Sequence, residues 1–336
     1  MNAPGIDVVI CTFNGAPRLP ALFDALAAQT LDSARWRVVL VDNASTDETA
    51  EAARRLWPRR DVELVVLSEP KPGQMYAREK ARQHLVHPFV CFCDDDNFLS
   101  PNYLMVAVEF MENDSAIGAL GGRGEAISDV VMPAWFSHAA PGYAVGPQGE
   151  TEGHVPFSRA FVYGAGMVLR REAWDDLHAS GFRSRLAGRV GAGIKSGDDN
   201  ELCLALALAG WEVHYSPRLT FRHAIPARRL TEEYCRTLYR SFGDALPVLG
   251  AYRDFLSGRA KPDDWQRCAR MRHWQARLLR LLPTGHGDVA LTPSALDREI
   301  KAGHRAALRD WKRSDFFTLY EQLAQWIGTV KKEAAR

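Results

Sequence analysis

Two short acidic clusters hold the residues of this chain best suited to chemistry. In VCFCDDDNF an apolar run ends in Asp94, Asp95, Asp96 and Asn97. Three adjacent carboxylates repel one another, and at the end of a buried strand they are tolerated chiefly when a cation or a positively charged ligand neutralises them. Hard oxygen donors of this kind suit Mg²⁺ or Mn²⁺. A solvated acidic turn is the alternative. An EF-hand is excluded, because its sixth position must be Gly and its twelfth Glu, and here they are Leu99 and Met105. In SGDDNELCLALALAG, Asp198, Asp199 and Glu201 open an apolar helix. Capping and the helix dipole favour carboxylates there, so a plain capped helix is a second explanation. Taken together, the clusters have the parts for a metal-held leaving group and a general base.

These residues must be positioned by regular elements, and the hydrophobic pattern supplies them. Strand-length apolar runs at Val8–Phe13, Arg37–Val41, Val62–Leu67 and Phe89–Cys93 alternate with helical patterns at Pro17–Gln29, Asp47–Trp57 and Gly73–Leu85. Such connections are long enough for parallel crossovers, which predicts an α/β fold with a mostly parallel, doubly wound sheet. Ligands of such sheets bind at the carboxyl edge, so polar residues just after each run become candidates. From Gly118 to Val168 the pattern is glycine-rich and predicts a less regular β region walling the other side of a cleft. A helix at Asn200–Ala209 and a strand at Trp211–Tyr215 follow, and from Leu230 the sequence is helical in pattern.

The composition is that of a folded globular chain: 336 residues, 46% hydrophobic and 25% charged. Its net charge of +1 conceals an asymmetry. The first 225 residues hold 21 Lys and Arg against 28 Asp and Glu, the remainder 21 against 13. The acidic first part argues against a nucleic-acid groove. No run reaches the roughly 18 apolar residues of a membrane span. The opening residues lack the pattern of a signal peptide, so a cytoplasmic protein is expected. Six cysteines (Cys11, Cys91, Cys93, Cys203, Cys235 and Cys268) lie in apolar surroundings without CxxC spacing, as reduced core thiols do.

Seven segments in order, CTFNG, VDNASTDET, KPGQMYAR, FCDDDN, YGAGMVLRR, SGDDNEL and HAIPARRL, resemble family 2 glycosyltransferases of the GT-A fold, bacterial and non-processive. The likeness covers residues 5 to 245, and the surface-polysaccharide glycosyltransferases of the hormogonium type are similar. The resemblance implies a catalytic region over 1–228, with a nucleotide-sugar half over about 1–97 and an acceptor half over about 98–228. The helical region 229–336 follows it. It implies that Thr12, Asn14 and Asp42 hold the nucleotide, Asp42 accepting from a uracil imide and so favouring a UDP-sugar. Gly73 and Arg78 would close over the nucleotide and diphosphate. Asp94 and Asp95 would face the donor, and Asp96, Asp94 and His223 would hold Mn²⁺ or Mg²⁺. Gly164 and Gly166 would let the backbone approach the donor sugar. Asp199, beside Asp198, would be the base of an inverting single displacement. The acceptor would be a glycan or a lipid-linked glycan. Trp135 and Phe136 are candidates to stack on it, and the loops 122–160 and 183–196 to choose it.

Other readings fit less well. A haloacid-type phosphatase wants Thr or Val where Phe98 stands, and a dinucleotide fold wants GxGxxG where CTFNG offers one glycine. A sugar nucleotidyltransferase opens with a glycine-rich stretch that is missing here. A binding protein that keeps the fold without catalysis is the remaining alternative. In the basic tail, a helix over Trp265–Leu282 gathers Met271, Trp274, Leu278, Leu281 and Leu282 in one sector. Arg270, Arg272, Arg277 and Arg280 lie mostly outside it and Arg267 inside. Either that sector packs on the rest of the protein or a second subunit, or it rests peripherally on an anionic bilayer at the cytoplasmic face.

Overall fold

The computed structural model describes residues 3–186, 188, 194–281 and 290–334. The expectations for Leu282 and for part of the 183–196 loop lie outside them. In chain order the elements of the first two thirds are β1 (Ile6–Thr12), α1 (Leu19–Ala27), β2 (Trp36–Asn43), α2 (Thr49–Leu56), β3 (Leu64–Glu69), α3 (Gln74–Arg82), β4 (Phe89–Phe92), β5 (Asn97–Leu99), α4 (Tyr103–Asn113), β6 (Ile117–Ile127), α5 (Phe136–Ala139), β7 (Gly153–His154), β8 (Val168–Arg170), α6 (Arg171–Ala179), α7 (Asp198–Leu208) and β9 (Glu212–Ala224). Four helices follow: α8 (Glu232–Leu256), α9 (Gln266–Leu281), α10 (Pro293–Asp310) and α11 (Arg313–Ala334).

The strands form one sheet in the order β3-β2-β1-β4-β8-β6-β9-β5, with β7 paired to β9. The first four are parallel. Beyond them the sheet is mixed: β4, β6 and β8 pair antiparallel while β6 and β9 run parallel. Alternation along the buried strands feeds two cores. Val8, Ile10, Val38 and Leu40 face one side with α1, α2 and α4, and Val9, Val39 and Val41 face the other with α3, α6 and α7. This is the doubly wound arrangement. The connection changes faces between β1 and β4, which opens a crevice at their carboxyl ends.

The glycine-rich region is more regular than its sequence suggests. β6 is an 11-residue strand because neighbours press on its glycines: a Cβ at Gly122 would stand 2.2 Å from Leu219 O, and one at Gly124 2.1 Å from Ala144 O. β9 likewise runs on to Ala224. Its register with β6 slips between Gly121 and Arg123, opposite Pro217, which has no N–H to give the ladder.

The C-terminal helices are built into the second core. Val248, Leu249, Tyr252 and Phe255 of α8 and Leu319, Tyr320, Leu323 and Ile327 of α11 share a cluster with Val9 and with Leu202–Leu206 of α7. Asp254 of α8, wholly buried, fastens them further. It takes Arg272 of α9 through two bonds of 2.8 Å, Arg259 at 3.0 Å and the Tyr320 hydroxyl. All six cysteines are free thiols.

Candidate active site

The switch between β1 and β4 brings Thr12 beside the acidic strand end. Thr12 Oγ1 donates to Asp95, and Arg18, from the loop that starts α1, grips the same carboxylate through Nε at 2.8 Å and Nη2 at 2.7 Å. Asp95 is therefore neutralised within the protein. Gln74 Nε2 at the start of α3 donates to Asp94 at 3.4 Å. Asp96 takes Arg229 at 2.9 Å and faces His223 Nε2 at 3.5 Å. Antiparallel pairing of β5 with β9, which sets Asn97 opposite His223, brings that histidine to the cluster.

The ring of His223 has a fixed tautomer. Its Nδ1 lies 2.7 Å from Tyr143 O, and a carbonyl only accepts, so Nδ1 carries the proton. In the neutral ring Nε2 then offers a lone pair toward Asp96. A nitrogen and an oxygen donor of this kind suit a divalent metal, but Arg229 already holds the same Asp96 oxygen, and Asp94 does not bring an oxygen within 4.8 Å of both other donors.

The second acidic cluster faces the same cavity. Asp199 opens α7 after Gly197, whose φ of 104° suits glycine. Its Oδ2 accepts from Gly164 N at 3.0 Å and its Oδ1 from Arg78 at 2.8 Å. A Cβ on Gly164 would stand 2.1 Å from Asp199 Oδ2. Asp198 is more deeply buried and takes Arg78 at 3.3 Å. Burial, followed by the charge of Asp199, pushes its carboxyl up to about 7 against the opposing pull of Arg78. Burial lowers the Arg78 guanidinium, yet Asp199 and Asp198 outweigh it and the net direction is upward. Glu201 turns inward and anchors the chain before the next loop. It accepts from Ser184 Oγ at 2.6 Å, Leu186 N at 2.9 Å and Tyr252 Oη at 2.9 Å.

A cavity of about 1730 Å³ joins the two clusters. One end is lined by Thr12, Asn14, Gly73 and Asp94–Asp96, its middle by Gly164, Asp198, Asp199 and His223. The other arm is mostly apolar, walled by Leu238, Phe242, Leu246 and Leu249 of α8 and Ile300 of α10, with Arg253 of α8 the charged exception.

The sequence profile of Glycosyl transferase family 2 matches residues 7–177. The chain belongs to this family. Among curated relatives it is similar to the succinoglycan biosynthesis protein ExoM of Rhizobium meliloti, 25% identical over 67% of this chain and 68% of ExoM. It also resembles the poly(ribitol-phosphate) β-N-acetylglucosaminyltransferase TarS of Staphylococcus aureus, 26% identical over 31% of this chain but only 18% of TarS. Among solved structures, S. aureus TarS 1-349 in complex with UDP-GlcNAc superposes with a TM-score of 0.51 at 17% identity, over 97% of this chain and 79% of that one. The mannosyltransferase PcManGT from Pyrobaculum calidifontis, in complex with GDP-Man and Mn²⁺, gives 0.53 at 19% identity, over 99% and 87%. These likenesses identify the fold as GT-A.

Within this family 2 chain, some candidates take other places than their sequence suggests. Arg78 does not reach the cavity. It is buried between the α7 carboxylates and the Phe92 ring, 4.3 Å from the centroid. Gly166 also lies behind the wall. Its φ of 70° requires glycine, and a Cβ there would stand 2.6 Å from Tyr103 Oη, so it serves packing rather than a sugar. Phe136 is buried in an apolar cluster with Tyr143, Ile225 and Leu238, and Trp135 packs against that cluster. Neither lines the cavity, because the PAWF turn points into this small core. Asp42 stands level with Thr12 at the sheet edge but does not line the cavity, and its Oδ1 accepts from Ser45 N at 3.2 Å. Asn14 spends its amide oxygen on Thr46 N at 2.8 Å, tying two loops together. The sequence reading missed Arg18, Arg229 and Asn43. Asn43 holds Gly73 N at 2.8 Å and Lys71 O at 2.7 Å, which fixes the turn into α3.

Proposed function

We propose that this glycosyltransferase moves a sugar from a UDP-linked donor to a hydroxyl of a glycan or lipid-linked acceptor, by a single displacement that inverts the anomeric carbon. The observation that carries the reading is one cavity with carboxylates of different surroundings: Asp94 beside Gln74 and Asp96 beside His223, and Asp199 held by Gly164 N and Arg78. Asp96 and His223 would hold Mn²⁺ or Mg²⁺, which when bound would offset negative charge on the departing diphosphate. Arg229 adds fixed positive charge beside Asp96.

Asp199 is the base. Each of its oxygens accepts one hydrogen bond from the protein, which leaves a lone pair to take the acceptor proton and fixes the carboxylate's orientation. Asp198 stays behind it, and its raised proton affinity limits how much negative charge gathers beside Arg78. At the other side, Thr12 and Asp42, at neighbouring strand ends, would meet the nucleotide. A uridine donor agrees with the carboxylate of Asp42, which suits an N–H donor on the base, and with the UDP-GlcNAc complex of TarS. An acceptor with an apolar portion agrees with the arm walled by α8.

The test is a pair of variants read by two assays. Asp96→Ala should abolish transfer and remove metal-dependent nucleoside-diphosphate binding with the fold intact. Asp199→Asn should lower kcat by about 10²-fold and leave donor affinity unchanged. Tight metal-dependent UDP binding by the first variant, or wild-type turnover by the second, overturns the assignment. A thermal-shift panel of nucleotide sugars with and without Mn²⁺ identifies the donor.

A further inference from the structure

Helix α9 turns its small residues inward and its large apolar residues outward. Cys268, Ala269 and Ala276 are buried, whereas Met271, Trp274, Leu278 and Leu281 are exposed by 37, 59, 63 and 81%. At 100° per residue the four outward side chains fall within a sector of about 80°. Packing against the other described residues therefore does not account for them. Arg267, Arg270 and Arg277 are exposed in or beside the same sector, and the Arg277 guanidinium sits 4.8 Å from the centre of the Trp274 ring. The helix carries five arginines and no acidic side chain. Two of the five are spent inside the protein, Arg272 on Asp254 and Arg280 on the carbonyls of Leu308 and Trp311. The latter contact brings the turn between α10 and α11 to the end of α9. There Arg309, Lys312 and Arg313 are exposed around Asp310.

We propose that this face docks the protein on an anionic lipid bilayer. The mixture is what an interfacial helix needs: leucine and methionine to enter the acyl boundary, tryptophan to sit at headgroup depth, and arginines to meet lipid phosphates. Self-association of the face is disfavoured by its charge. A two-fold contact would set the outward arginines of one copy against those of the other, with no carboxylate on the helix to receive them. The surface lies apart from the cavity, and binding requires no turnover.

The test is flotation of the full-length protein with vesicles of phosphatidylcholine alone and of phosphatidylcholine with roughly a third phosphatidylglycerol, at about 0.05 M and about 0.5 M salt. The wild type should float with the anionic vesicles at low salt and much less at high salt. Trp274→Ala/Leu278→Ala/Leu281→Ala and, separately, Arg267→Gln/Arg270→Gln/Arg277→Gln should each lower the partition coefficient by about tenfold or more. All six positions are exposed, so melting temperature and donor binding should be unchanged in both variants. Three results would overturn the proposal: no flotation of the wild type with anionic vesicles at low salt, equal flotation with neutral ones, or variants that float as the wild type does. Light scattering that shows a wild-type dimer dissociated by the apolar variant, without flotation, would assign the face to a second copy instead.

Discussion

Gly164→Ala tests the placement of the proposed base, Asp199, with one carbon atom. The added Cβ would stand 2.1 Å from Asp199 Oδ2, and real contacts of this kind stay beyond 3.0 Å. The carboxylate must therefore retreat by about 1 Å, and a displacement of that size in a reacting group costs about 10²-fold in rate. That is about 3 kcal/mol on the barrier. The backbone should accept alanine, because Gly164 is not among the residues with positive φ, and losing a glycine restricts the unfolded chain. The expected outcome is a kcat near that of Asp199→Asn with little change in melting temperature or in donor affinity. Initial rates of nucleoside-diphosphate release measure the first and calorimetric titration the last. The double variant decides the cause. If alanine acts through Asp199, adding Asp199→Asn should cost nothing more, whereas independent effects would multiply. A Gly164→Ala enzyme with turnover within about threefold of wild type would show that the close contact does not position the base.

Other outcomes follow from the burial of particular side chains. Asp198 is raised from an ordinary 3.8 to about 7 in the folded protein, so its ionisation opposes folding. The penalty is absent below about pH 4, grows as pH rises and is complete above about pH 7. Asp198→Asn should therefore match the wild type in melting temperature at low pH, exceed it increasingly up to about pH 7 and keep that margin above it. Phe136→Ala should destabilise by about 3 kcal/mol in denaturant unfolding, with the acceptor KM unchanged, since the ring lies in a core. Glu201→Gln should raise the acceptor KM and leave the donor KM alone, because its carboxylate seats residues 184–186 rather than the nucleotide side.

The fold was legible wherever burial made the sequence continuous. Runs such as Val38–Val41 are apolar on both sides because the sheet is covered on both, and the helices between them betray the crossovers. The acidic clusters after β4 and in the first turn of α7 were legible for the same reason, since charges stand out against buried runs. What stayed hidden depends on partners distant in sequence. Arg18 meets Asp95 and Arg229 meets Asp96 only after the sheet has folded. No local signal tells that Arg78 points inward at Asp199 or that Phe136 has a core to fill. The apolar sector of α9 was visible from its spacing, but its outward direction was not, because Cys268, Ala269 and Ala276 carry too little bulk to mark the buried side. In β6 glycine suggested irregularity, whereas its cause is close packing.

The apolar cluster shared by Val9 and Ile327 also sets an order of events during synthesis. The strands that carry Thr12 and Asp94–Asp96 leave the ribosome early, but the helices that cover one face of their sheet are made later. At 5–20 residues per second, the interval between the end of α7 and the middle of α11 is on the order of 10 s. Through that interval Leu202, Leu204 and Leu206 lack their final neighbours, and the nascent chain presents a sticky surface to chaperones and to other chains. The α8 wall of the cleft is likewise made after the strands, so a chain arrested before α8 carries the acidic residues of the site without a finished place to use them.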